Sequence, residues 1–119
     1  MRFMTIKKFE LDKGVYVFEE SNLTAQFHAH PILELVIARQ GSFSVSTKEK
    51  SLEDIQCCLI MPHEIHAFEG KNCNAAFIFI EGSSTNFKEI IWALGVSNAK
   101  DGIIEIKEKI QTTDRGGRF

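Results

Sequence analysis

From residue 3 to residue 80 the chain alternates short apolar runs with turn residues, and little of it carries a helical period. Seven runs read as strands: GVYVFEE at 14–20, TAQFHAH at 24–30, ILELVIA at 32–38, SFSVSTK at 42–48, IQCCLIM at 55–61, HAFE at 66–69 and NAAFIFIE at 74–81. Many short strands at close spacing predict a sandwich or a barrel. ILELVIARQGSFSVST reads as a hairpin in which Arg39, Gln40 and Gly41 form the turn. In its second strand Phe43 and Val45 alternate with Ser42, Ser44 and Ser46, so one face is wet. ILELVIA and AAFIFI are instead apolar on both faces, and each needs cover from another sheet, a helix or a partner subunit. A homodimer is therefore expected.

Beyond Gly82 the period changes. Ser83, Ser84 and Thr85 offer an N-cap, and NFKEIIWALG reads as a helix closed by Gly95. Ile90, Ile91 and Trp92 on it are expected to pack on the β-structure or on a second subunit. GIIEIKEKI at 102–110 fits either a strand through Ile104 and Ile106 or a helix through Ile103, Ile106 and Ile110. The polar, glycine-rich QTTDRGGRF after it is expected to fray. The organisation is thus a β-barrel over 1–82 and a C-terminal helical segment with its tail over 83–119. Both belong to one domain, because 119 residues supply one core.

Composition narrows the class. At 44% hydrophobic and 25% charged residues the balance is that of a globular protein. A net charge of −2 leaves no basic footprint for phosphates, so direct nucleic-acid binding by this chain is not expected. No run approaches the roughly 20 apolar residues of a membrane span, nor is there a secretory leader, which predicts a cytoplasmic protein without membrane contact. Cys57, Cys58 and Cys73 lack a C-x-x-C spacing and are expected to be reduced, structural thiols. On a strand the adjacent Cys57 and Cys58 point to opposite faces. Phe27, Phe43, Phe68, Phe77 and Phe79 fall at strand positions and are expected in the core.

The candidate chemistry lies in TAQFHAH and its neighbours. His28 and His30 are two apart and Glu34 is four further on, so on a continuous strand all three side chains share a face. Pro31 lies between them and favours a bulge. Ile32, Val36 and Ala38 continue the same face, so the polar trio sits at one end of an apolar lining, the make-up of a small-molecule pocket. Two imidazoles and a carboxylate in apolar surroundings need partners, which a metal ion or a polar ligand would supply. His63, in a turn, is expected at the surface, and the run Lys48, Glu49, Lys50 is a solvated hairpin end.

HAHPILELVIARQG has the form H-x-H-x3-E-x6-G and resembles the first half of the cupin signature. IMPHEIHAF resembles the second half, P-x-G-x2-H, with His66 at its histidine, Met61 at its first proline and His63 at its glycine. The resemblance covers residues 12–82 and implies a small jelly-roll barrel, an all-β fold with one or two C-terminal helical segments. It also implies that His28, His30, Glu34 and His66 form one site, able to hold a divalent ion such as Zn, Fe, Mn, Ni or Cu. Together with FIFIEGSS, the same segments are most similar to the N-terminal effector-binding and dimerisation domain of AraC-type transcription regulators. That resemblance implies a barrel that binds a small molecule, followed in full-length members by a DNA-binding domain for which this chain has no counterpart. Two functions follow as expectations. One is a non-enzymatic effector sensor, the preferred reading. The other is a metal-dependent dioxygenase- or isomerase-like cupin using the three histidines and Glu34. Neither Glu64 nor Glu69 is assigned as an acid or base.

Overall fold

The alternating runs form eleven strands and one helix in a computed structural model that describes residues 6–96 and 102–114. In chain order they are β1 (Ile6–Leu11), β2 (Val15–Ser21), β3 (Thr24–His28), β4 (Leu33–Gln40), β5 (Phe43–Ser46) and β6 (Ser51–Ile55). There follow β7 (Cys57–Ile60), β8 (His66–Glu69), β9 (Asn74–Ile80), α1 (Thr85–Ala93), β10 (Ile103–Glu105) and β11 (Lys109–Asp114). A first sheet has the order β10-β7-β4-β9-β2 and a second the order β3-β8-β5-β6, while β1 and β11 pair in parallel. The all-β, jelly-roll-like class holds, with the sheets not closed on each other by hydrogen bonds.

β4 and β9 are buried on both faces because they occupy the middle of the first sheet. On the outer face Leu33, Leu35, Ile78 and Ile80 pack with Phe9 and Leu11 of β1, Ile90 of α1 and Ile110 of β11. On the inner face Val36, Cys58, Ile60 and Phe77 pack against Phe43, Val45 and Phe68 of the second sheet. The cover that these strands require thus comes from the chain itself. A second subunit is not needed for it.

The expected hairpin is a correction. Arg39 and Gln40 continue β4, the chain turns only at Gly41 and Ser42, and β4 pairs with β7 and β9 while β5 pairs with β6 and β8. A strand apolar on both faces belongs at a sheet centre, where both hydrogen-bonding edges are taken, so the chain must leave for the other sheet. Gly41 makes that crossing. Its φ is +79°, and a Cβ there would stand 2.5 Å from the carbonyl oxygen of Asn72.

The helix begins at the expected cap, where the Ser84 side chain accepts a hydrogen bond from the Asn86 N–H at 3.1 Å. Asn86 then ties α1 to β1: its Oδ1 accepts from the Asp12 N–H at 2.8 Å and its Nδ2 donates to the Glu10 carbonyl at 2.9 Å. Ile90 is buried as expected, but Trp92 is 86% exposed and does not pack on the sheets. Residues 102–110, open to two readings, are strands: β10 extends the first sheet beside β7, and β11 lies along β1. A second C-terminal helix is therefore absent from the described residues, and Gln111–Asp114, expected to fray, belong to β11. The rest of that tail lies outside the described residues. β1 and β6, whose apolar positions are broken by charges in IKKFEL and SLEDI, were not anticipated as strands. No helix of the described residues is long and apolar enough to cross a membrane.

Candidate functional site

Glu34 enters the inner layer because β4 alternates: Leu33 and Leu35 face outward into one core, Glu34 and Val36 inward toward the second sheet. Strand β3 does not continue through His30 as a continuous-strand reading requires. It ends at His28 after a register shift that begins at Ala25, and Pro31 sits in the bend before β4. The histidines converge by another route. His28 pairs directly with His66 of β8, and the bend returns His30 over both. Ring centroids are 4.4 Å apart for His28 and His66, 5.2 Å for His30 and His66, and 5.7 Å for His28 and His30.

The turn before β8 keeps its form although a histidine stands at the glycine position of the resembled motif. His63 adopts a left-handed φ of +68°, and its N–H donates to the His30 carbonyl at 2.8 Å. That bond fastens the turn to the bend that carries His30, so His66 reaches the cluster. The His63 side chain is exposed, as expected.

Each imidazole is oriented by a backbone carbonyl. His28 Nδ1 lies 2.7 Å from the Gln26 carbonyl, His66 Nδ1 2.7 Å from that of Glu64, and His30 Nδ1 3.2 Å from that of Ile32. A carbonyl only accepts, so Nδ1 carries the proton in all three rings and Nε2 is turned toward the cluster. His30 Nε2 is 2.7 Å from Glu34 Oε1, and His66 Nε2 is 3.8 Å from the same oxygen. One ligand atom from each of His28, His30 and His66 lies within 4.8 Å of the others. Glu34 stands behind this trio as the partner of His30.

Burial is graded across the site. His66 and Glu34 are buried, His30 is part-exposed and His28 is exposed. Burial raises the Glu34 carboxyl above its ordinary 4.5, against the pull of the charge and hydrogen bond of His30. Burial likewise lowers His66 below its ordinary 6.5; its bond to the Glu64 carbonyl opposes this, and the neighbouring His28 and His30 add to it. Cys58 is fully enclosed near Glu34, and its thiol is held well above 9.0, chiefly by burial. Cys57, on the opposite face as expected, is pushed up to about 12. All three cysteines are free.

The space behind Glu34 is filled. Val36 is fully buried, and immediately beyond it Phe43 stacks on Phe68 at 5.1 Å while Phe77 meets Phe68 edge-on at 5.2 Å. The cluster is thus the mouth of a solid layer, and the apolar lining expected from Val36 is core. Phe27, also expected in the core, is 53% exposed; it borders a separate hollow of about 480 Å³ on the outer face of the second sheet. The sequence reading did not connect Phe79, whose ring meets His30 edge-on at 5.3 Å, with the site. Its period-two position on β9 was visible, but only the β4–β9 register places it opposite Glu34.

Fold and site together define a mostly-β domain of two main sheets and a two-stranded β1–β11 pair, with a histidine–carboxylate cluster at one mouth. No protein-family model matches the chain, and no curated protein matches it. Among solved structures, apo ToxT from Vibrio cholerae is similar in fold, with a TM-score of 0.56 and 11% identity. The likeness covers 84% of this chain and 44% of the ToxT chain, so this chain corresponds to less than half of that protein.

Proposed function

We propose that this chain is an effector-binding domain of the AraC type, which takes up a small molecule at His28, His30, Glu34 and His66. One observation carries the reading: three imidazoles, each locked by a backbone carbonyl, gather at the mouth, and His30 and His66 turn Nε2 toward the buried Glu34 carboxylate. Burial opposes charge on Glu34 and His66, and a polar ligand at the mouth would meet groups already oriented to receive it. The fold likeness to ToxT, an AraC-family regulator, supports the AraC part of the reading. Binding would be relayed to a regulator's output only if the ligand favours one arrangement of the domain over another. A homodimer belongs to the same reading, with the exposed Trp92 of α1 at its disposal.

The same geometry favours a second reading, a metal-dependent enzyme. The donor chemistry fits a divalent ion: His28, His30 and His66 would hold it through Nε2, their Nδ1–H groups already fixed as ligating histidines require. Bound there, Zn, Fe, Mn, Ni or Cu would supply Lewis acidity. Glu34 would lose its hydrogen bond with His30 Nε2 and its carboxylate would be placed to serve as a fourth ligand.

Elemental analysis of protein purified without added metal, repeated on His30→Ala, separates the two. Stoichiometric metal that disappears in the variant supports the enzyme. Metal-free protein whose melting temperature rises with a small molecule, and no longer rises in His30→Ala, supports the sensor. If no compound in a broad screen shifts the melting curve, the sensor reading fails.

A further inference from the structure

The inner face of the first sheet carries an aromatic strip that runs from its free edge to the histidines. Tyr16 of β2 lies opposite Phe79 of β9, and Phe79 lies opposite Glu34 of β4. One row along, Phe18 lies opposite Phe77. The second sheet covers Phe77 but stops short of β2, leaving Tyr16 56% and Phe18 39% exposed. The Phe18 ring stacks on Phe77 at 5.1 Å and 13°, and stands 5.3 Å from Phe79. Phe79 meets His30 at 5.3 Å. Aromatic surface therefore leads without a break from the outer strand to the cluster.

The polar end of this strip accepts hydrogen bonds. The Nδ1 protons of His28 and His66 are given to backbone carbonyls, which leaves Nε2 lone pairs, and Glu34 adds carboxylate oxygens. A complementary ligand brings O–H or N–H donors to that end and a flat apolar face to the rings. A carboxylate brings only acceptors, and an aliphatic polyol brings donors but no face to stack.

Resting on the ligand-binding role proposed above, we infer that the ligand class of this site is a phenolic aromatic, its hydroxyls on the histidine Nε2 atoms and its ring on Phe18 and Phe79. Tyr16 and Phe18 then set specificity, although neither touches the histidines.

The test uses metal-free protein, with catechol and cis-cyclohexane-1,2-diol as probes in calorimetric and NMR titrations. Catechol is expected to bind at least about tenfold more tightly than the diol, and to shift the His28 and His66 ring signals. Phe18→Leu keeps an apolar side chain at the edge and removes the ring; it is expected to weaken catechol roughly three- to tenfold, the worth of one aromatic contact, and to leave the diol unchanged. Equal affinity for the two probes, an unaffected Phe18→Leu variant, or binding of neither probe overturns the aromatic class. A diol response that is lost in His66→Asn sinks the aromatic class while keeping the ligand-binding role of the cluster. Tyr16→Leu is a second check: its melting temperature and its catechol affinity are read together, and only a loss of affinity at unchanged melting supports the strip.

Discussion

The two ends of the inner layer are built from the same strands and do opposite work. On β4, Val36 lies at the closed end, among Cys58, Phe43, Phe68 and Phe77, where every neighbour is apolar. Glu34, only two residues earlier on the same face, lies at the open end with three histidines. The closed end gains from burial with nothing to compensate, because its side chains bring no polar atoms. The open end carries four ionisable groups, of which burial penalises the charged forms of Glu34 and His66, and among the described residues no buried side-chain polar atom is left without a partner. The difference teaches that stability and chemistry are separated here along a single strand by one step of its alternation. Substitutions should therefore divide cleanly between the ends.

The largest effect is expected at the closed end. Phe77→Ala removes a ring that is 2% exposed, stacks with Phe18 and meets Phe68 edge-on, and should cost about 3–5 kcal/mol in urea unfolding. A loss below about 1 kcal/mol would mean that the layer collapses around the gap and is not the solid end described. A smaller, pH-dependent effect is expected at the open end. Burial holds native His66 below 6.5, so the unfolded chain takes up its proton first. The stability of the neutral ring is then complete above pH 6.5 and is lost as the pH falls through the native value. Glu34 acts in the reverse sense: with its native value raised above 4.5, its contribution is complete below that pH and is lost as the pH rises. Unfolding of His66→Asn measured at a series of pH values should show a shallower loss on the acid side than the parent. An unchanged acid limb would place the controlling protonation elsewhere. The smallest effect is expected at the rim, where His63→Gly relieves a left-handed residue but adds freedom to the unfolded chain, for a net gain of about 0.5 kcal/mol.

Much of this arrangement was legible in the chain, and the gaps have particular causes. Period-two patterning located β2 to β5 and β7 to β9, because each has an apolar face of several residues. It failed on β1 and β6, where lysines and acids interrupt the pattern and the backbone pairing does the work. Pairing partners were the weakest inference. The wet face of β5 and the tight turn before it suggested a hairpin, whereas the double burial of β4 already demanded a neighbour on each edge. Trp92 read as a packing residue by its type alone, although Asn86, polar by type, is the side chain that docks the helix. At the site, His28, His30 and Glu34 were grouped by parity on a strand that actually breaks after His28. The grouping survives because the bend at Pro31 brings His30 back by hydrogen bonding. His66 depended on a turn whose glycine position is occupied by histidine, and the left-handed φ of His63 shows how that shape is kept.

The neighbouring thiols have a use that their chemistry at rest conceals. Cys57 faces the layer under α1 and β1, and Cys58 faces the layer between the sheets; both are too buried, and too far raised in pKa, to react while closed. Each therefore becomes reactive only when its own side of the first sheet opens. Two adjacent positions in the chain keep separate time for the two cores, and the order in which a thiol reagent labels them would reveal which half of the molecule lets go first.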